Sequence, residues 1–408
     1  MPDGQQSHRH TPDVLGPARI GPVPLRNRVI KAATYEGRSR EGLVTDGLID
    51  FHRRPAAGGV GMTTVAFCAV SPEGRTDRHQ IHMRRDAVPG LRELTDAVHA
   101  EGAAVSAQLG HAGPVANPLS TGMRALAPGK LLQPMSMRRT RAVSEHEIRR
   151  IVRDHADAAV LAAESGFDAV ELHCGHNYLV SSFLSPRLNR RDDAYGGSLE
   201  NRARFLREVA RAVRDAVGDR LAIIVKLNMD DGTTGGFWLD EAIPVARWLE
   251  GDGSVDALEL TAGSSLSNPM YLFRGDVPIG EFADAMPRPV RLGVRMFGRF
   301  LLRSYPYRDA YLLDGARQVR HETGLPMVLL GGIASKPVMD QAMREGFQFV
   351  AMARALLREP ALVETIAAGD REDSLCIHCN KCMPTIYSGT RCVLAEPARD
   401  DRASGAPG

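Results

Sequence analysis

The chain has 408 residues, enough for one large α/β barrel or for two ordinary domains. Its 51 lysines and arginines nearly balance 49 aspartates and glutamates, so the charge pattern does not favour binding to nucleic acid or to a charged membrane surface. No apolar run is long enough to span a bilayer, and residues 1–13 lack the apolar centre of a secretory signal. We therefore expect a cytoplasmic protein, with a disordered leader at 1–13 and a disordered tail at 395–408.

Short β-branched segments alternate with helical patterns along the chain. The predicted strands are 29–33, 62–66, 104–109, 169–173, 222–227, 257–260, 327–330 and 349–352. The predicted helices are 45–57, 90–101, 145–165, 199–217, 239–250, 307–323, 336–345 and 360–368. Eight consecutive repeats predict one α/β domain over residues 14–369, a (β/α)8 TIM barrel, and make the alternative of a doubly wound sheet less favourable. Residues 18–27 are typical of a small hairpin before the first strand.

Two insertions follow predicted strands, at 111–143 after the third and at 262–306 after the sixth. Loops at the carboxyl ends of barrel strands converge on one mouth, so both insertions are expected to shape a substrate pocket. A glycine-rich segment at 58–64 hints at a dinucleotide-binding loop, but its glycines precede a strand instead of joining strand to helix. The sequence therefore does not favour a Rossmann dehydrogenase.

The most informative motif begins just after the strand-like run 168–172. It contains His173, His176 and Tyr178, which place two imidazoles and a phenol at the expected mouth of the barrel. Such groups donate hydrogen bonds and supply one weak acid. Taken alone, the tyrosine is equally compatible with packing at the barrel rim. The histidines are also compatible with buried structural roles and, less favourably, with metal binding, since no nearby carboxylate completes a ligand set.

The whole segment 173–205 resembles the corresponding motif of the Old Yellow Enzyme family of FMN-dependent NAD(P)H:flavin oxidoreductases, and the similarity extends from about Leu15 to Ala361. The resemblance implies a barrel that binds FMN and takes hydride from NADH or NADPH. It also implies that His173 and His176 grip the carbonyl oxygen of a small-molecule substrate. Tyr178 would then protonate the neighbouring carbon after hydride has arrived from flavin N5.

The same resemblance assigns residues to the flavin ring. Gln108 is similar to the glutamine at the pyrimidine edge, and Lys226 to the basic residue near N1 and O2, where positive charge favours the anionic reduced flavin. The first strand leads into Ala33, Thr34 and Tyr35, where many relatives have a proline-rich pair followed by Thr or Cys that tunes the flavin potential. Backbone contacts from this run are expected, and Tyr35 occupies the tuning position. The flavin-binding set also includes Phe67.

A phosphate site is predicted after the last two strands. Gly331 and Gly332 follow the seventh strand, and Ala353 and Arg354 follow the eighth. Barrels commonly bind phosphate there through backbone amides. Glycine allows close approach of the chain, and an arginine adds a charged fork.

Six cysteines occur in the chain, and four of them fall within residues 376–392 in a C-x2-C-x2-C-x9-C spacing. This pattern predicts a metal-binding extension at 370–394, and its thiolates suit either a [4Fe–4S] cluster or a zinc ion. A metal-free, reducible segment is the third interpretation. The tail is similar to that of the branch with 2,4-dienoyl-CoA reductase and trimethylamine dehydrogenase, which implies the iron–sulfur cluster. The predicted ligands are Cys376, Cys379, Cys382 and Cys392.

Cluster-bearing relatives continue into a second nucleotide-binding module, whereas this chain ends sixteen residues after Cys392. Either NAD(P)H reduces FMN directly, or the cluster exchanges electrons with a separate protein, or the cluster is structural. We predict an ene-reductase, which reduces the C=C bond of an α,β-unsaturated carbonyl compound. The alternatives are an amine dehydrogenase or demethylase that passes electrons through the cluster, and a non-enzymatic FMN and metal electron-transfer protein. A homo-oligomer is also left open.

Overall fold

The computed structural model describes residues 11–133, 136–285 and 288–395. The predicted leader and tail lie almost wholly outside the described residues. Within these residues, no helix is both long and apolar enough to cross a membrane.

Eight parallel strands form a closed barrel in which each strand pairs with the next along the chain and the last pairs with the first. The barrel strands are Val29–Lys31, Met62–Ala69, Ala104–Gly110, Ala169–Cys174, Ala222–Asn228, Ala257–Thr261, Met327–Leu329 and Phe349–Met352. The predicted (β/α)8 barrel is therefore confirmed. The predicted hairpin is also present, as the antiparallel pair Ala18–Ile20 and Val23–Leu25.

The eight helices of the (β/α)8 repeat each follow one barrel strand. They are Asp46–Ala57, Val88–Ala100, Glu145–Glu164, Leu199–Val217, Leu239–Gly251, Leu313–His321, Lys336–Arg344 and Leu362–Ala367, with a short helix Arg354–Arg358 after the eighth strand. The largest difference from the sequence prediction concerns the helix expected at 307–323, which begins only at Leu313. Ala310 has a φ of 45°, so the backbone before Leu313 leaves the helical conformation.

The helix after the fourth strand shows how local sequence sets an element. The Ser198 side chain accepts a hydrogen bond from the backbone N–H of Asn201, so this serine is the N-cap of the helix. Apolar residues then recur at helical spacing, and Phe205, Leu206 and Val209 are buried against the core. The helix therefore fixes the far end of the segment that begins with the active-site motif.

Residues alternate between the interior and the outside of the barrel along each strand. At the amino-terminal end the interior is apolar, where Ile20 and Val23 of the hairpin pack with Ala169 and Ala222. Two residues further along these strands, Glu171 and Ile224 occupy the interior positions, and the inward-facing side chains become polar toward the carboxyl ends. The interior of the barrel is thus apolar at one end and polar at the other.

The insertions and the cysteine-containing extension lie at that polar end. The insertion after the third strand carries the paired strands Leu126–Ala127 and Arg141–Ala142 and the short helix Pro118–Thr121, and the one after the sixth carries helices Pro269–Phe273, Ile279–Asp284 and Arg288–Leu301. The extension contacts loops that follow three different strands: Thr390 N donates to Glu36 O at 2.7 Å, Ser374 N to Ala334 O at 2.9 Å, and Asp276 N to His378 O at 3.3 Å. All three loops open toward the mouth, so the extension packs over that end of the barrel.

Candidate active site

The histidine–tyrosine motif forms a tight turn at the end of the fourth strand. His176 and Asn177 have φ angles of 57° and 59°, and Tyr178 N donates to Gly175 O at 3.2 Å. A Cβ at Gly175 would lie 3.0 Å from Thr261 Cγ2, so any larger residue would require a small shift where this turn passes the end of the sixth strand. The turn keeps both histidines and the tyrosine at the mouth.

The three predicted catalytic rings are brought together. The ring centroids of His173 and Tyr178 are 4.3 Å apart, with an angle of 30° between their planes. The ring centroids of His173 and His176 are 5.3 Å apart. Both histidines are buried, whereas Tyr178 is partly exposed. A proton donor and two imidazoles therefore share one small volume.

Both histidines are neutral at neutral pH. Burial, together with the charges of His176 and Lys226, holds the pKa of His173 well below its usual range. Burial and the charge of Lys226 lower the pKa of His176 to about 3. The backbone N–H of Gly175 donates to His173 Nδ1 at 3.3 Å, which places the ring proton of His173 on Nε2. His173 can therefore donate a hydrogen bond from Nε2.

His176 is held by residues at the ends of the fifth and sixth strands. Its Nε2 lies 2.9 Å from Thr261 Oγ1, and its backbone N–H donates to Asn228 Oδ1 at 3.1 Å. Thr261 and Asn228 are the last residues of the sixth and fifth strands. These contacts fix the ring in one orientation without the need for a charged partner.

Tyr178 packs against the second strand. Its ring lies edge-on to Phe67, with centroids 5.4 Å apart. Ala33 and Tyr178 both pack against the apolar cluster that contains Phe67. One predicted flavin-binding residue, Phe67, therefore lies beside the predicted proton donor, and another, Ala33, packs against the same cluster.

A buried ionic group lies inside the barrel next to this motif, and its lysine, Lys226, is directly opposite His173 in the pairing of the fourth and fifth strands. Lys226 Nζ donates to Glu171 Oε1 at 2.9 Å and also bonds to Glu259, and Gln108 Nε2 donates to Glu171. The side chains of the lysine and both glutamates are at most 3% exposed. Roles for Gln108 and Lys226 were predicted from the sequence, whereas neither glutamate was. A charged residue at an inward position of an otherwise apolar strand, as in 169–174 and 257–261, was the signal available.

The charged residues of this group shift one another's pKa values. Burial alone would lower the pKa of Lys226, but the charges of Glu171 and Glu259 raise it to about 12. Burial and the charge of Glu171 raise the pKa of Glu259 to about 8, although Lys226 opposes this rise. The lysine is therefore cationic, and Glu259 is mostly protonated at neutral pH.

A model of the NADH:flavin oxidoreductase / NADH oxidase family matches residues 13–260, more than half of the chain. The chain belongs to this family. A 4,4'-dithiodibutanoate disulfide reductase of Rhodococcus erythropolis is 51% identical over 386 residues, which are 95% of this chain and 96% of that protein. A metal reductase of Desulforamulus reducens is 33% identical over 97% of this chain, which spans about half, 55%, of that longer relative.

The fold agrees with this membership. The structure of an old yellow enzyme homologue from Zymomonas mobilis superimposes with a TM-score of 0.72 over 90% of this chain and 96% of that chain, at 23% identity. The family match and the 51% identical relative, together with this fold, confirm the resemblance to the Old Yellow Enzyme family and show an FMN-dependent oxidoreductase that uses NAD(P)H.

The buried polar groups at the mouth fit the ring of an FMN cofactor. The amide group of Gln108 and the ammonium group of Lys226 are buried, and Lys226 is directly opposite His173 in the pairing of the fourth and fifth strands. Such donors suit the pyrimidine end of a flavin, which carries carbonyl oxygens and ring nitrogens. The individual contacts of these two residues with FMN stay predictions.

Thr34 and Tyr35 are tied to other parts of the protein. Thr34 Oγ1 accepts a hydrogen bond from the buried Lys31 Nζ at 2.9 Å. The Tyr35 hydroxyl donates to Asp77, and the backbone carbonyl oxygen of Tyr35 accepts a hydrogen bond from Thr390 of the extension. These contacts fix the loop after the first strand, while its predicted contacts with FMN stay untested.

The predicted phosphate residues form a second group, beside the extension. Gly331 and Gly332 have φ angles of 93° and 78°, and a Cβ at Gly331 would lie 2.7 Å from Leu312 Cγ, so both positions require glycine. Arg354 follows Ala353 and donates to the carbonyl oxygen of Arg274 at 2.9 Å and to Asn380. This arginine thus connects two loops at the mouth, and its role in binding phosphate stays a prediction.

The four extension cysteines are partly buried. Burial raises the pKa of Cys382 to about 11, with further contributions from the charges of the other three and an opposing one from Arg354. Across 11–133, 136–285 and 288–395, however, no three His, Cys, Asp or Glu side chains are arranged to hold a metal ion. The predicted metal centre is therefore not established, and no catalytic step is assigned to it.

Proposed function

We propose that this oxidoreductase reduces the C=C bond of α,β-unsaturated carbonyl compounds. The observation that carries the proposal is the cluster of two neutral histidines and Tyr178 at the mouth, with the rings of His173 and Tyr178 4.3 Å apart. Hydrogen-bond donors beside a weak acid suit a reaction in which negative charge develops on oxygen and a proton is then added to carbon.

Each residue has a separate role in this reaction. Gln108 and Lys226 would hold FMN, which when bound would supply the hydride for the β-carbon. His173 donates from Nε2 to the carbonyl oxygen and stabilises the negative charge that develops there. His176, fixed by Thr261, would donate from Nδ1 when the threonine hydroxyl donates to Nε2. Tyr178 transfers its phenolic proton to the α-carbon, which completes addition of hydrogen across the double bond.

Anaerobic turnover with cyclohexenone and either NADH or NADPH tests the proposal. We expect one cyclohexanone to form for each nicotinamide oxidised. If NAD(P)H reduces the flavin but no unsaturated carbonyl compound reoxidises it, ene-reduction is wrong. Reduction of the flavin by an amine such as trimethylamine would instead support the oxidative alternative.

Reduction of an organic disulfide is a second candidate, favoured by the 51% identity to a 4,4'-dithiodibutanoate disulfide reductase. Hydride addition to one sulfur breaks the S–S bond, and its electron pair leaves with the other sulfur as a thiolate. The first sulfur gains hydrogen from the hydride, and Tyr178 is placed to protonate the departing thiolate. One disulfide and one NAD(P)H plus a proton therefore give two thiols and NAD(P)+.

Parallel assays separate the two candidates. The same enzyme preparation is given equal concentrations of cyclohexenone and 4,4'-dithiodibutanoate, and thiol release is measured beside nicotinamide oxidation. Two thiols per nicotinamide, with a higher kcat/KM than for cyclohexenone, would assign disulfide reduction. A higher kcat/KM for cyclohexenone would assign ene-reduction.

We expect the purified protein to release FMN on heating. The buried amide of Gln108 and ammonium group of Lys226 suit the flavin ring. No covalent attachment is proposed, so denaturation should free a fluorescent flavin that chromatographs as FMN. Release of FAD would contradict the proposal, as would colourless protein after expression with added riboflavin.

We propose that the four extension cysteines bind one metal centre, and iron is favoured over zinc by the family resemblance. Their spacing and mutual electrostatic influence support the proposal. Replacing Cys379 with serine should remove the metal and leave FMN bound. Metal analysis of anaerobically purified protein should find about four irons per chain.

The buried Cys68 provides a matched control, because Cys68→Ser should leave the metal content unchanged. One zinc without iron would replace the cluster with a structural site. If neither metal is bound and all four thiols react freely with a thiol reagent, the proposed centre is wrong.

A further inference from the structure

The ionic group inside the barrel contains more acidic groups than are needed to hold one lysine. Lys226 bonds to both Glu171 and Glu259. If both carboxylates were ionised, the buried group would carry a net negative charge. Burial of an uncompensated charge is costly, whereas one protonated carboxyl group leaves the set neutral.

Position in the strands determines which surroundings act on Glu259. Leu258 and Leu260 belong to the core outside the barrel, while Ala257 belongs to the interior cluster, so Glu259 and Thr261 face inward. Glu259 lies directly opposite Lys226 in the pairing of the fifth and sixth strands. The glutamate therefore lies two residues below Thr261, which holds catalytic His176.

The charged and titratable groups around this position come from four strands. Glu171 lies on the fourth strand and Lys226 on the fifth, and the charge of Lys31 on the first strand also acts on Lys226 and Glu171. His173, directly opposite Lys226 in the strand pairing, and His176 are neutral. Burial lowers the pKa of Lys31 to about 8, and burial with the charge of Glu171 raises the pKa of Glu259 to about 8, so Glu259 is the carboxyl group and Lys31 the ammonium group of the set that can change charge near this pH.

We propose that Glu259 is a positioning residue that carries a proton beside Lys226 and thereby controls how much of the lysine's positive charge reaches the bound flavin. The proposal rests on the binding of FMN at this mouth. With Glu259 protonated, Lys226 is balanced by Glu171 alone. When Glu259 ionises, a second carboxylate opposes the lysine, and the negatively charged reduced flavin is less favoured.

The direction of the pH dependence follows from the raised pKa of Glu259, about 8. Below this pH Glu259 is neutral, and above it Glu259 is negatively charged. The fraction of reduced flavin at a fixed potential, measured against a reference dye, should therefore fall more steeply with pH above 8 than below it. Electrostatic reciprocity also requires that flavin reduction raise the pKa of Glu259 further.

Glu259→Gln tests the proposal, because glutamine keeps the shape and stays neutral at every pH. Near pH 6 the variant and the wild type should have similar ratios of reduced to oxidised flavin. Near pH 9 the variant should have a ratio about tenfold higher, the equivalent of one pKa unit. Glu208→Gln, which removes a carboxylate bonded to Tyr195 outside the barrel, should match the wild type at both pH values.

Infrared spectroscopy supplies a second measurement that depends on neither turnover nor flavin. The wild type should show the carbonyl band of a buried protonated carboxyl group, and this band should disappear as pH rises through 8. The variant Glu259→Gln should lack it. The proposal would be overturned if the ratio of reduced to oxidised flavin in Glu259→Gln differed from that of the wild type by the same factor at every pH. A wild type without the titrating band would also overturn it.

These outcomes are distinct from a failure of the proposed function. Protein that holds FMN but reduces neither cyclohexenone nor a disulfide refutes the proposed substrates and leaves the potential measurement intact. If Glu259→Gln does not fold, the infrared band of the wild type still decides, because its loss with rising pH reports a carboxyl group and not the ammonium group of Lys31. Absence of a titrating band would overturn the proposal.

Discussion

Replacing Tyr178 with phenylalanine is expected to slow oxidation of the reduced flavin by an unsaturated carbonyl compound by roughly a hundredfold or more, the usual cost of losing a general acid. Reduction of the flavin by NAD(P)H needs no proton at this position and should change little. The packing of the ring against Phe67 is retained by phenylalanine, so the change removes the hydroxyl group alone.

Stopped-flow absorbance of the flavin measures the two half-reactions separately. Tyr195→Phe is the matched control, because this buried tyrosine bonds to Glu208 on a helix outside the barrel, and neither half-reaction should change. Equal slowing of both half-reactions by Tyr178→Phe would show that Tyr178 is structural or part of the nicotinamide site.

Replacing His173 with leucine is expected to reduce kcat/KM for cyclohexenone by roughly a hundredfold to a thousandfold, the usual effect of losing one donor to a developing oxyanion. His173 Nε2 carries the proton, since Gly175 N donates to Nδ1. Leucine fills a similar volume but offers no donor. The loss should fall on the oxidative half-reaction, where charge develops on the substrate oxygen.

His155→Leu is the control for burial of a histidine. His155 is fully buried, and its Nδ1 bonds to Ile151 O at 2.8 Å on a helix outside the barrel. The variant His155→Leu should leave both half-reactions unchanged even if its thermal stability is lower. A His173→Leu variant with wild-type kcat/KM would show that the carbonyl oxygen is not bound by His173.

Local signals in the sequence were sufficient for the elements of the fold. Alternating β-branched strands and amphipathic helices predicted the barrel, and the positions of the strand ends predicted that His173, His176 and Tyr178 would meet. These predictions depended on the alternation of strand and helix patterns, a signal that extends over a few residues at a time. The same signals failed before Leu313, where residues 308–312 take their conformation from packing against Gly331 and Gly332.

The chain alone therefore determined the type and order of the elements and the motif at the mouth, because those follow from short-range patterns. Only the tertiary structure determined which charged groups bond to one another. It paired Lys226 with Glu171 and Glu259, which are separated from the lysine by 55 and 33 residues. It also joined Arg354 to Asn380 of the extension. Strand register and loop packing bring such groups together, and neither is encoded in the spacing of the residues themselves.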